Sequence, residues 1–246
     1  MDEFQFRPSY IQLPAFSTFS GEVRLPGSKS ITNRAFLIAA LARGTTRLHN
    51  LLKRDDTRYM GEALQKLGVK IDFSDDYSEA VVTGNAGPIS VEGVVDLYLG
   101  NAGTAMRSLT AALTLGRGEF SLGGEERMSE RPIRDLVDAL RSLGASIEYR
   151  ETEGYPPVHI KSSGLAGGYV EVNGNISSQY LTALLLTAPR IAPASGLRIR
   201  IEGELISRPY VAMTAAMMRR FGVAVSERDG AFLVPPGPYR AHPHYL

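Results

Sequence analysis

Leu67-Gly68-Val69, Leu143-Gly144-Ala145 and Phe221-Gly222-Val223 share one pattern: a helical stretch ends on an apolar residue, a glycine follows, and a strand-like stretch begins. The glycines stand at 68, 144 and 222, so the spacings are 76 and 78 residues. Glycine just past a helix enters the left-handed region without a Cβ clash, which predicts the same C-cap three times. The helices ahead of these glycines also begin alike. Asp55-Asp56-Thr57 reads as an N-cap cluster, and Arg131-Pro132 and Arg208-Pro209 set Pro at the favoured first helical position. In the middle helix Ile133, Leu136, Val137 and Leu140 make one apolar face, opposite Arg134, Asp135, Asp138 and Arg141.

Each unit holds an earlier helix of another kind. Ala35–Ala42, Leu109–Leu115 and Leu181–Ala188 are apolar nearly all round and are therefore predicted to be buried. Strand patterns fall at Thr45–Leu51, Val69–Phe73, Asp96–Leu99, Glu119–Leu122, Val158–Ile160, Tyr169–Val172, Arg198–Ile201 and Ala231–Val234. The unit reads as buried helix, strand, amphipathic helix, then strands, three times over. Its period is too long for a solenoid. The expected fold is an α/β domain whose three units close around a pseudo-threefold axis, with the apolar helices innermost.

Composition narrows the function. The chain has 246 residues, 43% hydrophobic and 22% charged, enough for a sizeable core. With 27 Lys and Arg against 26 Asp and Glu the net charge is +1, which disfavours a nucleic-acid or membrane-surface partner. Only five of the cations are Lys and the rest are Arg, the better fork for phosphates and carboxylates. The absence of Cys excludes disulfides, thiolate metal sites and a Cys nucleophile. Four scattered His argue against zinc, and no metal site is expected. The longest apolar run, Ala35–Ala42, has eight residues, against roughly 20 for a membrane span. The opening Met-Asp-Glu-Phe has no leader pattern, so a cytoplasmic location is expected.

The N-termini of the three apolar helices read Pro26–Ser30, Gly100–Thr104 and Asn175–Gln179, all small and polar. Free N–H groups and positive dipole ends make converging helix starts an anion cradle. Lys29, Arg34 and Arg107 add charge beside them. One such segment alone is ordinary capping; three at corresponding positions favour a site. The P-loop spacing fails here, because Ser28 separates Gly27 from Lys29. Glu125–Pro132 is a charged loop in which Arg131 is placed to present its guanidinium from a fixed helix start. His242 and His244 read as a terminal tail rather than a metal pair.

These residues carry a resemblance. Leu25-Pro-Gly-Ser-Lys-Ser-Ile-Thr-Asn-Arg-Ala35, Leu99-Gly-Asn-Ala-Gly-Thr-Ala-Met-Arg107, Glu130-Arg-Pro-Ile133, Ser177-Ser-Gln179 and Ser207-Arg-Pro-Tyr210 together resemble the EPSP synthase (3-phosphoshikimate 1-carboxyvinyltransferase) family, in family order from about Gly21 onward. The related UDP-N-acetylglucosamine enolpyruvyl transferases normally carry Asn after the lysine and a loop Cys; this chain has Ser30 and no Cys. The resemblance implies an inside-out α/β barrel domain of three βαβαββ repeats with buried parallel helices. It also implies transfer of the enolpyruvyl group of phosphoenolpyruvate to the 5-hydroxyl of shikimate 3-phosphate in aromatic amino-acid biosynthesis, with no metal or organic cofactor.

Residue by residue, the resemblance makes Lys29 catalytic and gives it contacts to both substrates. Ser30 and Arg34 would hold the shikimate ring and carboxylate, Ser177, Ser178 and Ser207 the 3-phosphate, and Gln179 and Tyr210 the ring. Asn101, Gly103, Arg131 and Gln179 would serve phosphoenolpyruvate. It further divides the chain into 1–20, expected to pair with a second domain and to leave Phe4–Phe19 least ordered; 21–240, the three-repeat shikimate-phosphate domain; and 241–246, the start of an interdomain crossover. Proton-handling Asp and Glu would come from a C-terminal half, which is the expected macromolecular partner. A stand-alone phosphate-ligand binding module is the alternative. Ser108 stands where many members have Pro. Glyphosate occupies the phosphoenolpyruvate position in this family, so inhibition is expected to be weaker here than in a Ser108→Pro variant, with equal inhibition constants contradicting the idea.

Overall fold

The computed structural model describes residues 18–245, except 19, 24, 176 and 192–195. Most of the segment 1–20, Phe4–Phe19 nearly in full, and Leu246 thus lie outside the described residues. The first unit runs α1 (Lys29–Leu41), β1 (Arg43–Leu48), α2 (Asp55–Lys66), β2 (Lys70–Phe73) and β3 (Ala80–Asn85). The second adds β4 (Val94–Tyr98), α3 (Gly103–Leu113), β5 (Gly118–Gly123), the single turn α4 (Glu126–Ser129), α5 (Arg134–Ser142), β6 (Ser146–Tyr149) and β7 (Val158–Ser162). The third is β8 (Gly168–Asn173), α6 (Ser178–Thr187), β9 (Leu197–Glu202), α7 (Arg208–Arg220), β10 (Ser226–Arg228) and β11 (Ala231–Val234), after which β12 (His244–Tyr245) follows.

The strands form three four-stranded sheets of one design: β4-β5-β7-β6, β8 to β11 in the order β8-β9-β11-β10, and β12-β1-β3-β2. In each the first pair is parallel and the other two are antiparallel. Units two and three are therefore complete βαβαββ repeats. In the first sheet the opening position belongs to β12, within the segment 241–246, which pairs Arg47 with His244 and Leu48 with Tyr245.

The three glycine caps have one geometry. Gly68, Gly144 and Gly222 have φ of 86°, 98° and 89°. Their N–H groups donate to Gln65, Arg141 and Arg219, and the next residues' N–H groups reach back to Leu64, Leu140 and Met218, all at 2.9–3.0 Å. This is the full Schellman pair of bonds, three times. Helices α1, α3 and α6 touch one another at the centre, and α2, α5 and α7 lie outside them, each also packing against an element of another unit. Leu37, Ile38, Leu109, Ala112, Leu184 and Leu185 are fully buried. An all-apolar helix surface has no solvent-compatible face, so these helices fill the core while the sheets form the outer wall.

Some expected details shift. Pro132 does not open α5, because the Ile133 N–H is drawn to the Gly154 carbonyl at 2.8 Å and the helix begins at Arg134. Asp55 and Asp56 occupy the first turn of α2 rather than its cap, while Thr57 Oγ1 donates to the Leu52 and Arg54 carbonyls. Strands β3, β6, β10 and β12 were not among the expected segments. β10 is three exposed residues, and β12 is two residues whose pairing depends on a partner nearly 200 positions away.

Candidate active site

Four helix starts open onto one cavity of about 370 Å³. α1 contributes Lys29, Ser30 and Arg34, α3 contributes Gly103 and Thr104, α6 contributes Ser177, Ser178 and Gln179, and α7 contributes Ser207 and Tyr210. Arg131 enters from the loop before α5. The position follows from the repeat: equivalent buried helices begin at the same end of the domain, so their dipoles and free amides point to a common space. Ser28 caps α1 by accepting from the Ile31 N–H at 3.5 Å, and Ser177 caps α6 by accepting from the Gln179 N–H at 3.2 Å. At α3 the cap position is Ala102, which offers no side-chain acceptor.

Ten of the eleven residues singled out from the sequence line this cavity; the exception is Asn101. Asn101 instead receives Arg131 Nη1 at its carbonyl, 2.9 Å, and at Oδ1, 3.0 Å. Its place beside the site is thus through Arg131. Thr104 and Ile206 line the cavity without having been singled out. Thr104 sits in the quoted Gly100–Thr104 helix start, while nothing in the pattern marks Ile206.

The two buried arginines, Arg34 and Arg107, are held without carboxylates. Arg34 is 2% exposed; its Nε donates to Thr214 Oγ1 at 2.8 Å, Nη1 to the Ser30 carbonyl at 2.8 Å and Nη2 to Thr182 Oγ1 at 3.1 Å. Arg107, 4% exposed, donates to backbone carbonyls. Burial presses the pKa of both guanidiniums down to about 10; Tyr210 beside Arg34 and Tyr180 beside Arg107 offset this in part, and no carboxylate does. Both remain charged at neutral pH. Burying cations without counter-ions is costly unless something supplies the negative charge. Lys29 is half-exposed, 3.4 Å from Asp56, a weak surface pair that a ligand can outcompete.

Gly103 permits the closest approach in the site. A Cβ there would lie 2.4 Å from Arg131 Nη2 and 2.6 Å from its Cζ, so the guanidinium rests directly on the glycine. Ser207, the residue before α7, adopts φ 55° and ψ 37°, the left-handed region. A non-glycine residue there costs about 1–3 kcal/mol, and such strain concentrates at functional sites. Ser207→Gly is therefore expected to leave thermal stability unchanged or slightly raised while weakening binding of a phosphorylated ligand. A clear fall in melting temperature would show that the hydroxyl, not the ligand, holds this turn. Ser108, inside α3 and 2% exposed, lies behind the site rather than in it.

Comparison with known proteins points to one family. A family model described as EPSP synthase (3-phosphoshikimate 1-carboxyvinyltransferase) matches residues 14–245. The 3-phosphoshikimate 1-carboxyvinyltransferase of Shewanella denitrificans is 53% identical over 229 residues, which are 92% of this chain and 53% of that protein. That of Photobacterium damsela subsp. piscicida is 55% identical over 228 residues, again 92% and 53%. The chain spans about half the length of the curated relatives it matches. Among solved structures, EPSP synthase from Acinetobacter baumannii superposes with a TM-score of 0.77 at 25% identity, over 94% of this chain and 51% of that one. With repeat, site motifs and relatives in agreement, the chain belongs to the EPSP synthase (3-phosphoshikimate 1-carboxyvinyltransferase) family.

Proposed function

We propose that this chain supplies the shikimate-3-phosphate-binding half of an enzyme that moves the enolpyruvyl group of phosphoenolpyruvate to the 5-hydroxyl of shikimate 3-phosphate. The supporting observation is one cavity onto which four helix starts and three cationic side chains (Lys29, Arg34 and Arg131) converge, with no acid among its lining residues. Ser177, Ser178 and Ser207 hold the 3-phosphate at the starts of α6 and α7. Ser30 and Arg34 take the ring and its carboxylate, between Gln179 and Tyr210. Arg131, over Gly103, takes phosphoenolpyruvate, and Lys29 stands at the mouth beside both ligands.

The 5-hydroxyl oxygen adds to C2 of phosphoenolpyruvate as its own proton is lost and C3 gains one, giving a tetrahedral ketal with a C3 methyl; loss of a proton from that methyl with cleavage of the C2–O bond then expels phosphate and restores the vinyl group. The residues of this chain bind and orient the two anions and stabilise charge on the departing phosphate. Proton transfer and water exclusion are assigned to the C-terminal half, which corresponds to the part of the relatives outside this match. The setting proposed is the cytoplasm; among the described residues no helix is long and apolar enough to cross a membrane.

A binding module without catalysis remains the competing reading. It needs the Ser30, Arg34 and Ser177–Gln179 set alone and gives no reason for Arg131 to be held over Gly103. Phosphate release from both substrates, with and without a C-terminal half supplied in trans, separates the two. Release only with both halves present supports the enzyme reading. No release from any docked pair of halves would favour the module.

A further inference from the structure

We propose that Arg107 and Tyr180 are positioning residues that fix Arg131 in the cavity before any ligand arrives. Neither lines the cavity. Arg107, from α3, donates through Nη2 to the Pro132 carbonyl at 2.7 Å and to the Arg131 carbonyl at 3.2 Å, and through Nη1 to the Gly103 carbonyl at 3.4 Å. Tyr180, from the first turn of α6, donates its hydroxyl to the same Pro132 carbonyl at 2.8 Å. Two central helices of different units therefore grip one dipeptide, Arg131-Pro132, from beneath.

Three features favour positioning over simple packing. The first is cost. Arg107 is a buried cation whose neighbours include another cation, Arg131, and both burial and that neighbour lower its proton affinity. An apolar residue would fill the space without that repulsion. The second is the shape of the clamp. Pro132 has a fixed φ, so pinning its carbonyl and the one before it sets the direction in which the Arg131 side chain leaves the backbone. The third is the other end of that side chain. Asn101 accepts twice from Nη1 and Gly103 admits the guanidinium to its Cα, which leaves Nη2 and Nε with no acceptor among the described residues. Arg131 is thus anchored at its backbone and at one nitrogen, with its remaining donors unspent. Preorganised donors of this kind bind an anion without first surrendering side-chain freedom.

This inference rests on the proposed role of Arg131, so its test begins without ligand. The order of the Arg131 side chain is measured by ¹⁵N relaxation of its Nε–H in the ligand-free 246-residue chain, as wild type, Arg107→Gln and Tyr180→Phe. Arg131 is expected to be ordered in wild type and clearly more mobile in both variants. Tyr180→Phe removes one oxygen only and carries the test if Arg107→Gln does not fold. Unchanged order in Tyr180→Phe overturns the proposal.

Phosphoenolpyruvate is then titrated in the presence of shikimate 3-phosphate. Tyr180→Phe is expected to weaken it about tenfold, the worth of one hydrogen bond, and to add nothing in an Arg131→Ala background. An equal further loss in that background would show a general structural role and overturn the proposal. If order falls while Arg131→Ala leaves phosphoenolpyruvate binding intact, positioning is upheld and the reading of Arg131 as a substrate contact is what fails.

Discussion

Arg131→Ala is expected to weaken phosphoenolpyruvate binding by on the order of 2–5 kcal/mol, while shikimate 3-phosphate binding changes less than about threefold. The asymmetry follows from position. Arg131 lies over Gly103 at the start of α3, held by Asn101, whereas the serines assigned to the 3-phosphate lie at the starts of α6 and α7. Removing one partner of a desolvated charge pair strands the other, so the loss exceeds the net worth of the pair itself. Calorimetry with each ligand, with the C-terminal half supplied, measures both. Equal losses would assign Arg131 a structural role and withdraw it from the phosphoenolpyruvate site.

Gly103→Ala tests the same contact from its other side. The new methyl would meet Arg131 Nη2, Cζ and Nη1 at 2.4, 2.6 and 2.7 Å, all closer than side chains tolerate. What must yield is the end of a flexible side chain, not backbone, so stability is expected to hold within about 1 kcal/mol; Ala is also the better helix former at this first position of α3. The guanidinium, however, is displaced and its hold on Asn101 lost. Phosphoenolpyruvate binding is therefore expected to fall by an amount approaching the Arg131→Ala loss of on the order of 2–5 kcal/mol. In an Arg131→Ala background the methyl no longer meets the guanidinium, and its penalty should vanish. A penalty that persists would place the damage in α3 itself.

Much of this architecture is legible in local sequence because it rests on short-range signals. The three glycine caps and the three apolar helices each announce themselves within a dozen residues, and their spacing gives the repeat. The cavity follows from the repeat, which is why Ser30, Gly103 and Ser178 are found together from sequence. What escapes depends on distant partners. β12 exists only because β1 lies beside it, and β10 is too short and exposed to show alternation. Asn101 resembles a ligand contact in the sequence, yet its amide faces Arg131, thirty residues on. The roles of Arg107 and Tyr180 are equally invisible, since the carbonyls they grip lie 25 and 48 positions away. Nothing in the local pattern sets Ser207 in the left-handed region.

The convergent starts of α1, α6 and α7 are assigned to shikimate 3-phosphate. Titration of shikimate 3-phosphate into the 246-residue chain, followed by the amide resonances of the folded protein, checks that assignment. Saturable binding of one ligand per chain is expected, with the largest shifts at Ser30, Ser178 and Ser207 and their neighbours, and loss of those shifts in a Ser177→Ala, Ser178→Ala double variant. Absence of binding, or shifts centred away from these helix starts, would contradict it.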